Sequence, residues 1–516
     1  MRNGKIVFTL IISYNIFQCD IMKSLEKIDK SRILVSSATQ KVEKSNLGQF
    51  FTPFSTATFM ASLFSNLSED NLSLLDPGAG IGSLTSSFIE QYFEKNPNGK
   101  LNIDAIELDT KFISTLQDNL NLYEKDNLNL NVFNADFIED CCLGRLRNLE
   151  NYYSNIIINP PYKKINSLSK YKPLLKSLDL DTVNLYSAFM LLSISKLKEN
   201  GELVGIIPRS FCNGVYYKSF RKFLLENTMI RQIHLINSRR SAFVEDDVLQ
   251  ENVILHLVKK SKQTSLTNKI KISHTNLADF SEISVKNYSY QDIIKENDQD
   301  LVIHIPNLDY KVSDVDFKKF TLSDLNLMVS TGPVVDFRLK NLLSNTPSDS
   351  KVPLLYPSHF SKFQIQWPLP NFKKYNYIES NSSSTKLLYP KGNYVLVKRF
   401  SSKEEKRRIS ACLLLAEDFD FPLFGFENHL NVFHMNKSGL SIEICYGLMS
   451  YLNSTFVDNF FRQFSGHTQV NASDLRKIPY PSLEFLSEMG VWAEKNHEII
   501  NTELIDIYLN TISNAC

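Results

Sequence analysis

The sequence predicts an α/β protein built on a doubly wound, mostly parallel sheet, followed by a second domain of mixed α+β character. Three observations carry this expectation. Strand-like and helix-like patterns alternate over residues 47–260, the rhythm of βαβ units in a parallel sheet. The run Ile156-Ile157-Ile158 is β-branched and apolar on both faces, as a strand covered on both sides must be. Beyond residue 260 the alternation stops, and 516 residues exceed what a single core usually supports.

In chain order, Phe59, Met60, Leu63, Phe64 and Leu67 recur at helical spacing behind Pro53, a residue suited to a helix start. Leu72-Ser73-Leu74-Leu75 is a short strand running into Asp76-Pro77-Gly78-Ala79-Gly80-Ile81-Gly82, with a helix over residues 83–92. A second strand over residues 101–106 ends at Glu107 and leads to a helix over residues 110–122. A third over residues 128–133 ends near Asp136. The fourth is the isoleucine run, stopped by Pro160 and Pro161, which lack amide donors and fix φ.

A long apolar helix over residues 183–197 follows, then a fifth strand over residues 201–207 halted by Pro208, then a helix over residues 217–225. Two further strands, residues 230–236 and 252–258, are close enough in sequence to form an antiparallel hairpin at the sheet edge. Residues 262–299, rich in Ser, Asn and Lys, read as a linker with short strands. The expected division is therefore an N-terminal arm (residues 1–44), the α/β domain (residues 45–262) and the second domain (residues 263–516).

Composition narrows the class. A hydrophobic fraction of 43% and a charged fraction of 22% are those of a soluble globular protein. A formal charge of +1 excludes a polycation, so contact with nucleic acid would need basic residues sorted onto one face. Seven scattered cysteines without C-x-x-C spacing indicate reduced thiols in a cytoplasmic protein, with neither zinc nor a disulfide framework. Residues 1–17 resemble a short signal peptide but lack a small-residue cleavage site, and no segment is expected to cross a membrane. The expectation is a leader without a role in the fold, as an over-extended start with Met22 as the initiator would leave.

The chemistry concentrates at strand ends. The glycine turn spaces its glycines G-x-G-x-G behind an acidic residue, which disfavours phosphate and suits a zwitterion whose ammonium meets Asp76. Glu107 ends the next strand, where a carboxylate can take ribose hydroxyls. Asp136-Phe137 ends the third, positioned to bond and pack an adenine ring. Three carboxylates beside a glycine turn describe S-adenosylmethionine better than a phosphate-bearing nucleotide. At the fourth end, Asn159-Pro160-Pro161-Tyr162 offers an amide oxygen, a carbonyl and an aromatic ring, which suit a nucleobase amine or a glutamine amide. The same four residues also have the composition of a surface turn.

The order Gly48-Gln49-Phe50-Phe51-Thr52-Pro53, then Asp76-Pro77-Gly78-Ala79-Gly80, then Asn159-Pro160-Pro161-Tyr162 resembles the gamma class of adenine-N6 DNA methyltransferases, with a TaqI-type catalytic domain of the class I S-adenosylmethionine-dependent fold. Asn184-Leu185-Tyr186-Ser187-Ala188-Phe189 resembles the next motif of that family. Val397-Lys398-Arg399-Phe400-Ser401, together with residues 464–476, looks most like modification methylases of the PstI/BsuBI type.

The resemblance implies cofactor contacts from Phe51, Thr52 and Pro53, the last two at the methionine end, from Asp76, Gly78 and Gly80 to the amino-acid part, from Glu107 to the ribose, and from Asp136 and Phe137 to the adenine. It implies catalysis by Asn159, Pro160, Pro161 and Tyr162, with Asn159 also beside the cofactor, Tyr162 stacked on a flipped adenine, and Phe243 as a second aromatic against that base. Lys163, Lys164, Lys398, Arg399 and Arg476 are the candidate phosphate contacts, the first two on a mobile loop over residues 163–176. Residues 403–408 are expected to form a helix face. The implied partners are double-stranded DNA and, functionally, a cognate restriction endonuclease; the implied site is CTGCAG, and the implied state a monomer without metal. Two other classes stay open: a methyltransferase acting on cytosine N4, RNA adenine or protein glutamine, and a non-catalytic DNA-recognition subunit.

Overall fold

The computed structural model describes residues 24–36, 51–146, 152–236, 251–261, 269–275, 279–295, 298–306, 319–402, 405–465 and 468–513. The chain divides into two compact units, residues 1–308 and 309–516.

The strands of the first unit are β1 (Asn71–Pro77), β2 (Lys100–Glu107), β3 (Leu128–Asn134), β4 (Tyr153–Ile158), β5 (Leu197–Pro208), β6 (Thr228–Ile236), β7 (Asn252–Lys259), β8 (Lys269–Thr275) and β9 (Ser284–Ser289). Its helices include α1 (residues 24–36), α2 (Phe54–Ser62), α3 (Ser83–Lys95), α4 (Thr110–Leu120), α5 (Phe137–Cys142), α6 (Tyr171–Lys176), α7 (Leu185–Lys196) and α8 (Lys218–Asn227). All nine strands form one sheet in the order β3-β2-β1-β4-β5-β7-β6-β8-β9. The first five pair in parallel.

The isoleucine strand explains why the sheet is covered on both faces. Ile156 and Ile158 pack into the layer holding Tyr186 and Met190, while Ile157 points the other way, among Leu74, Phe88 and Ile103. All three isoleucines are 0% exposed. Burying each stabilises the fold by about 1.5–3 kcal/mol, and Ile157→Ala would cost about 2–5 kcal/mol with its cavity term.

Three expectations change. Strands β6 and β7 do pair antiparallel, but not at the edge: β7 lies between β5 and β6, antiparallel to both, and β8 adds in parallel to β6. The sheet therefore runs on past residue 262, and the first unit extends to Leu308. The cause is the alternation Lys269-Ile270-Lys271-Ile272, whose isoleucines are buried at 1% and 0%. The outermost strand, β9, is mostly exposed and carries Lys286, a charged edge of the kind that discourages further pairing. Finally, residues 405–408 form bends rather than a helix face. Arg408 is buried there, bonded to Ser465 and set 5.3 Å over the Phe461 ring.

The second unit contains a six-stranded and a five-stranded sheet, built largely from strands of two to five residues. Helix Ile442–Leu452 packs on strands Tyr394–Lys398 and Ala411–Leu414, and helix Leu483–Lys495 packs against that helix. Strands this short show no sustained period, which is why sequence pattern resolved no fold here. No helix among the described residues is long and apolar enough to cross a membrane.

Candidate active site

Neighbours of β1 and β4 lie on opposite sides of the sheet order, making the gap between them the switch point at which open α/β sheets bind ligands. A cavity of about 480 Å³ opens at the carboxyl ends of these strands. Its wall takes Gly78 and Gly80 from the turn after β1, Glu107 from β2, Asp136 and Phe137 from beyond β3, and Asn159 and Pro161 from beyond β4.

The glycine turn lets backbone form that wall. Gly80 has φ +57°, and a Cβ there would lie 3.3 Å from the Phe51 ring, which itself lines the cavity edge-on to Phe112. The Gly80 amide donates to Glu107 Oε2 at 2.8 Å, and the Asp109 amide donates to Oε1 at 2.7 Å. These bonds fix the Glu107 carboxylate, whose pKa is raised by burial against their opposing pull.

Asp76 lies beneath the turn and not in the wall. It is 0% exposed; Thr85 Oγ1 donates to its Oδ2 at 2.7 Å, and its Oδ1 has no hydrogen-bond partner among the described residues. Burial pushes its pKa up to about 7, with the Thr85 bond opposing and the charge of Glu107 adding.

Asp136 caps α5, its Oδ1 accepting the Glu139 amide at 3.1 Å. Its Oδ2 accepts the Tyr171 hydroxyl at 2.8 Å and pairs with Lys170 at 3.1 Å. Phe137 is buried, with its ring 5.2 Å from that of Phe189, and both line the cavity.

The segment expected to be a mobile loop closes another side. Lys163, Lys164, Ile165, Asn166, Leu168, Ser169 and Tyr171 all line the cavity. The Ile165 amide donates to the Val183 carbonyl at 2.9 Å, the Leu185 amide donates to the Lys163 carbonyl at 2.8 Å, and α6 follows at Tyr171. Lys163 and Lys164 are exposed on this wall.

Asn159 stands at the tip of β4, its Nδ2 donating to Thr52 Oγ1 at 3.0 Å. The Tyr162 hydroxyl lies 3.2 Å from both Asn159 Oδ1 and the Ile206 carbonyl oxygen. Burial raises the pKa of this phenol. Pro160, Tyr162, Thr52 and Pro53 are not part of the cavity wall: Thr52 is buried behind it, and the Pro53 carbonyl accepts the Ala57 amide as α2 begins.

Phe243 lies outside the described residues. In the second unit, Lys398 sits 5.3 Å over the Phe360 ring, Arg399 donates to the Asn428 carbonyl at 3.1 Å, and Arg476 donates to the Val329 carbonyl at 2.8 Å. These two arginines thus bond backbone carbonyls of their own unit, Asn428 in a loop and Val329 in a strand. Sequence reasoning missed Phe112 and Tyr171; Phe112 could have been found as the apolar residue in the first turn after an acidic strand end, whereas nothing marks Tyr171.

The residues present fit S-adenosylmethionine. The cavity has the size of a small-molecule site, with aromatic walls and a few fixed carboxylates. The orphaned oxygen of Asp76 leaves a buried acceptor beneath the turn, with capacity for a cation.

Comparison with known proteins agrees. The family model for the Eco57I restriction-modification methylase matches residues 14–243. The chain is similar to the Type II methyltransferase M.BsuBI of Bacillus subtilis, 45% identical over 506 residues, covering 95% of this chain and 99% of the relative. It is also similar to M.PstI of Providencia stuartii, 37% identical over 498 residues and covering 92% and 96% of the two chains. M.AccI of Acinetobacter calcoaceticus is 29% identical over 249 residues, covering 46% and 41%. With 45% and 37% identity to two of its members over nearly their whole length and a cavity suited to S-adenosylmethionine, the chain belongs to the Type II methyltransferases of restriction-modification systems, DNA methyltransferases with that molecule as methyl donor.

Proposed function

We propose that this protein methylates the N6 amine of adenine within CTGCAG in duplex DNA, as the modification half of a restriction-modification pair, with the target base turned out of the helix. The observation that carries this reading is Asn159: its amide nitrogen is bonded away to Thr52 and its oxygen lies on the Tyr162 side, beside the cofactor cavity. An adenine amine is a poor nucleophile because its lone pair is delocalised into the ring. Asn159 Oδ1 and the Pro160 carbonyl would accept its two N–H hydrogens, favour a pyramidal nitrogen and offset the positive charge that develops there. S-adenosylmethionine, when bound, supplies an electrophilic methyl carbon.

Reaching such a pocket requires base extrusion, at a cost of roughly a few kcal/mol that stacking on Tyr162 offsets in part. Phe243 would add a second aromatic contact. Lys163 and Lys164, exposed beside Asn159 in sequence and on the cavity wall, are the favoured phosphate contacts. Residues of the second unit would read the DNA sequence.

A digestion assay tests the reading. DNA carrying CTGCAG, incubated with the protein and S-adenosylmethionine, should resist an endonuclease that cuts that sequence; full cleavage would reject the proposed site.

A further inference from the structure

Thr52 is 107 residues from Asn159 in the chain, yet its hydroxyl oxygen receives the Asn159 amide at 3.0 Å. Thr52 is 4% exposed and is absent from the cavity wall. Its backbone is held on both sides: Phe51 packs in a buried cluster with Ile81 and Phe112, and the Pro53 carbonyl accepts the Ala57 amide in the first turn of α2. Its β-branched side chain also has few χ1 choices, so the hydroxyl is a fixed mark and not a roving one.

A side-chain amide has two ends of nearly equal shape and opposite hydrogen-bonding sense. Rotation by 180° would turn an acceptor toward the target amine into a donor, setting N–H against N–H. The Thr52 hydroxyl, which can donate as well as accept, anchors the amide in place, and the N–H donors of an approaching amine favour the orientation that turns the oxygen toward them. With Thr52 Oγ1 accepting from Nδ2, the oxygen is the end that faces Tyr162 and the approaching substrate.

We infer that Thr52 is a positioning residue for methyl transfer, whose hydroxyl holds the Asn159 amide with its oxygen toward the substrate amine. This rests on the proposed role of Asn159 and differs from a contact with the methionine end of the cofactor. Thr52→Val keeps the shape and removes the hydroxyl; Thr52→Ser keeps the hydroxyl.

The experiment is single-turnover methyl transfer to CTGCAG duplex by the full-length protein, with cofactor affinity measured separately by titration. Thr52→Val should slow transfer about 10- to 100-fold, the range seen when groups that orient a reacting residue are lost, with cofactor Kd changed less than about threefold. Thr52→Ser should restore the rate to within about threefold. Thermal unfolding identifies a variant that fails to fold, and Thr52→Ala then replaces Thr52→Val with the same expectation. An unchanged transfer rate, or a weakened cofactor Kd with transfer intact at saturation, overturns the inference. Asn159→Ala runs alongside: if it transfers normally, the reading of Asn159 itself fails, whereas an inactive Asn159→Ala beside a fully active Thr52→Val rejects the role of Thr52 alone.

Discussion

The hydroxyl of Tyr162 lies 3.2 Å from the side-chain oxygen of Asn159 and at the same distance from the Ile206 carbonyl oxygen, either of which can accept its proton. The hydroxyl therefore has a second acceptor ready when a substrate amine takes the Asn159 oxygen, and the exchange leaves no buried donor without a partner.

From this follows a split between two variants. Tyr162→Phe removes only the hydroxyl and should keep single-turnover transfer within about tenfold of the parent. Tyr162→Ala also removes the ring and should lose about ten- to a hundredfold more, as roughly 1–3 kcal/mol of base stacking implies. Equal losses in the two variants would mean that the hydroxyl, and not the ring, is the group that matters.

Asp76 gives a pH signature. Its pKa of about 7 lies above the ordinary 3.8, so the folded chain binds a proton that the unfolded chain releases across that interval. Its stabilising contribution is complete below about pH 4, falls as pH rises, and is gone above about pH 8, a change on the order of a few kcal/mol. Denaturant unfolding of the cofactor-free protein from pH 4 to pH 9 should show this component, and Asp76→Asn should remove it. If the orphaned oxygen of Asp76 takes the ammonium of S-adenosylmethionine, the same substitution should weaken binding of that molecule by tenfold or more; unchanged affinity would reject the pairing.

Tyr171 holds the 163–171 wall of the cavity to Asp136 through a bond of 2.8 Å to a carboxylate. Such bonds contribute about 1.5–3 kcal/mol when they form cleanly. Tyr171→Phe should therefore speed cofactor dissociation several-fold in a stopped-flow displacement measurement, with the transfer step itself unaffected. An unchanged dissociation rate would mean that Lys170 and the backbone bonds of this segment suffice to hold the wall.

The α/β core was legible because its strands are apolar and its helices periodic, so the sequence alone places Asp76, Glu107, Asp136 and Asn159 at strand ends. What escaped was nonlocal or nonperiodic. The Thr52–Asn159 bond joins distant segments, and Tyr171 arises in a polar stretch with no period. Strand β9 has almost no buried side chains and so leaves no hydrophobic mark in sequence. The position of β7 between β5 and β6 depends on which strand edges remain open, information that hairpin proximity does not contain. Arg408 misled in another way: the charge pattern of residues 403–408 suggested a helix face, while Arg408 is buried against Ser465 and the Phe461 ring.

The most direct test of adenine-N6 specificity is the identity of the methylated nucleoside. Duplex DNA containing CTGCAG, treated with the protein and S-adenosylmethionine and then hydrolysed to nucleosides, should yield N6-methyladenosine in its deoxy form, one per strand of the site. N4-methylcytosine in its place, or methyl transfer to RNA or protein with none to DNA, would contradict it.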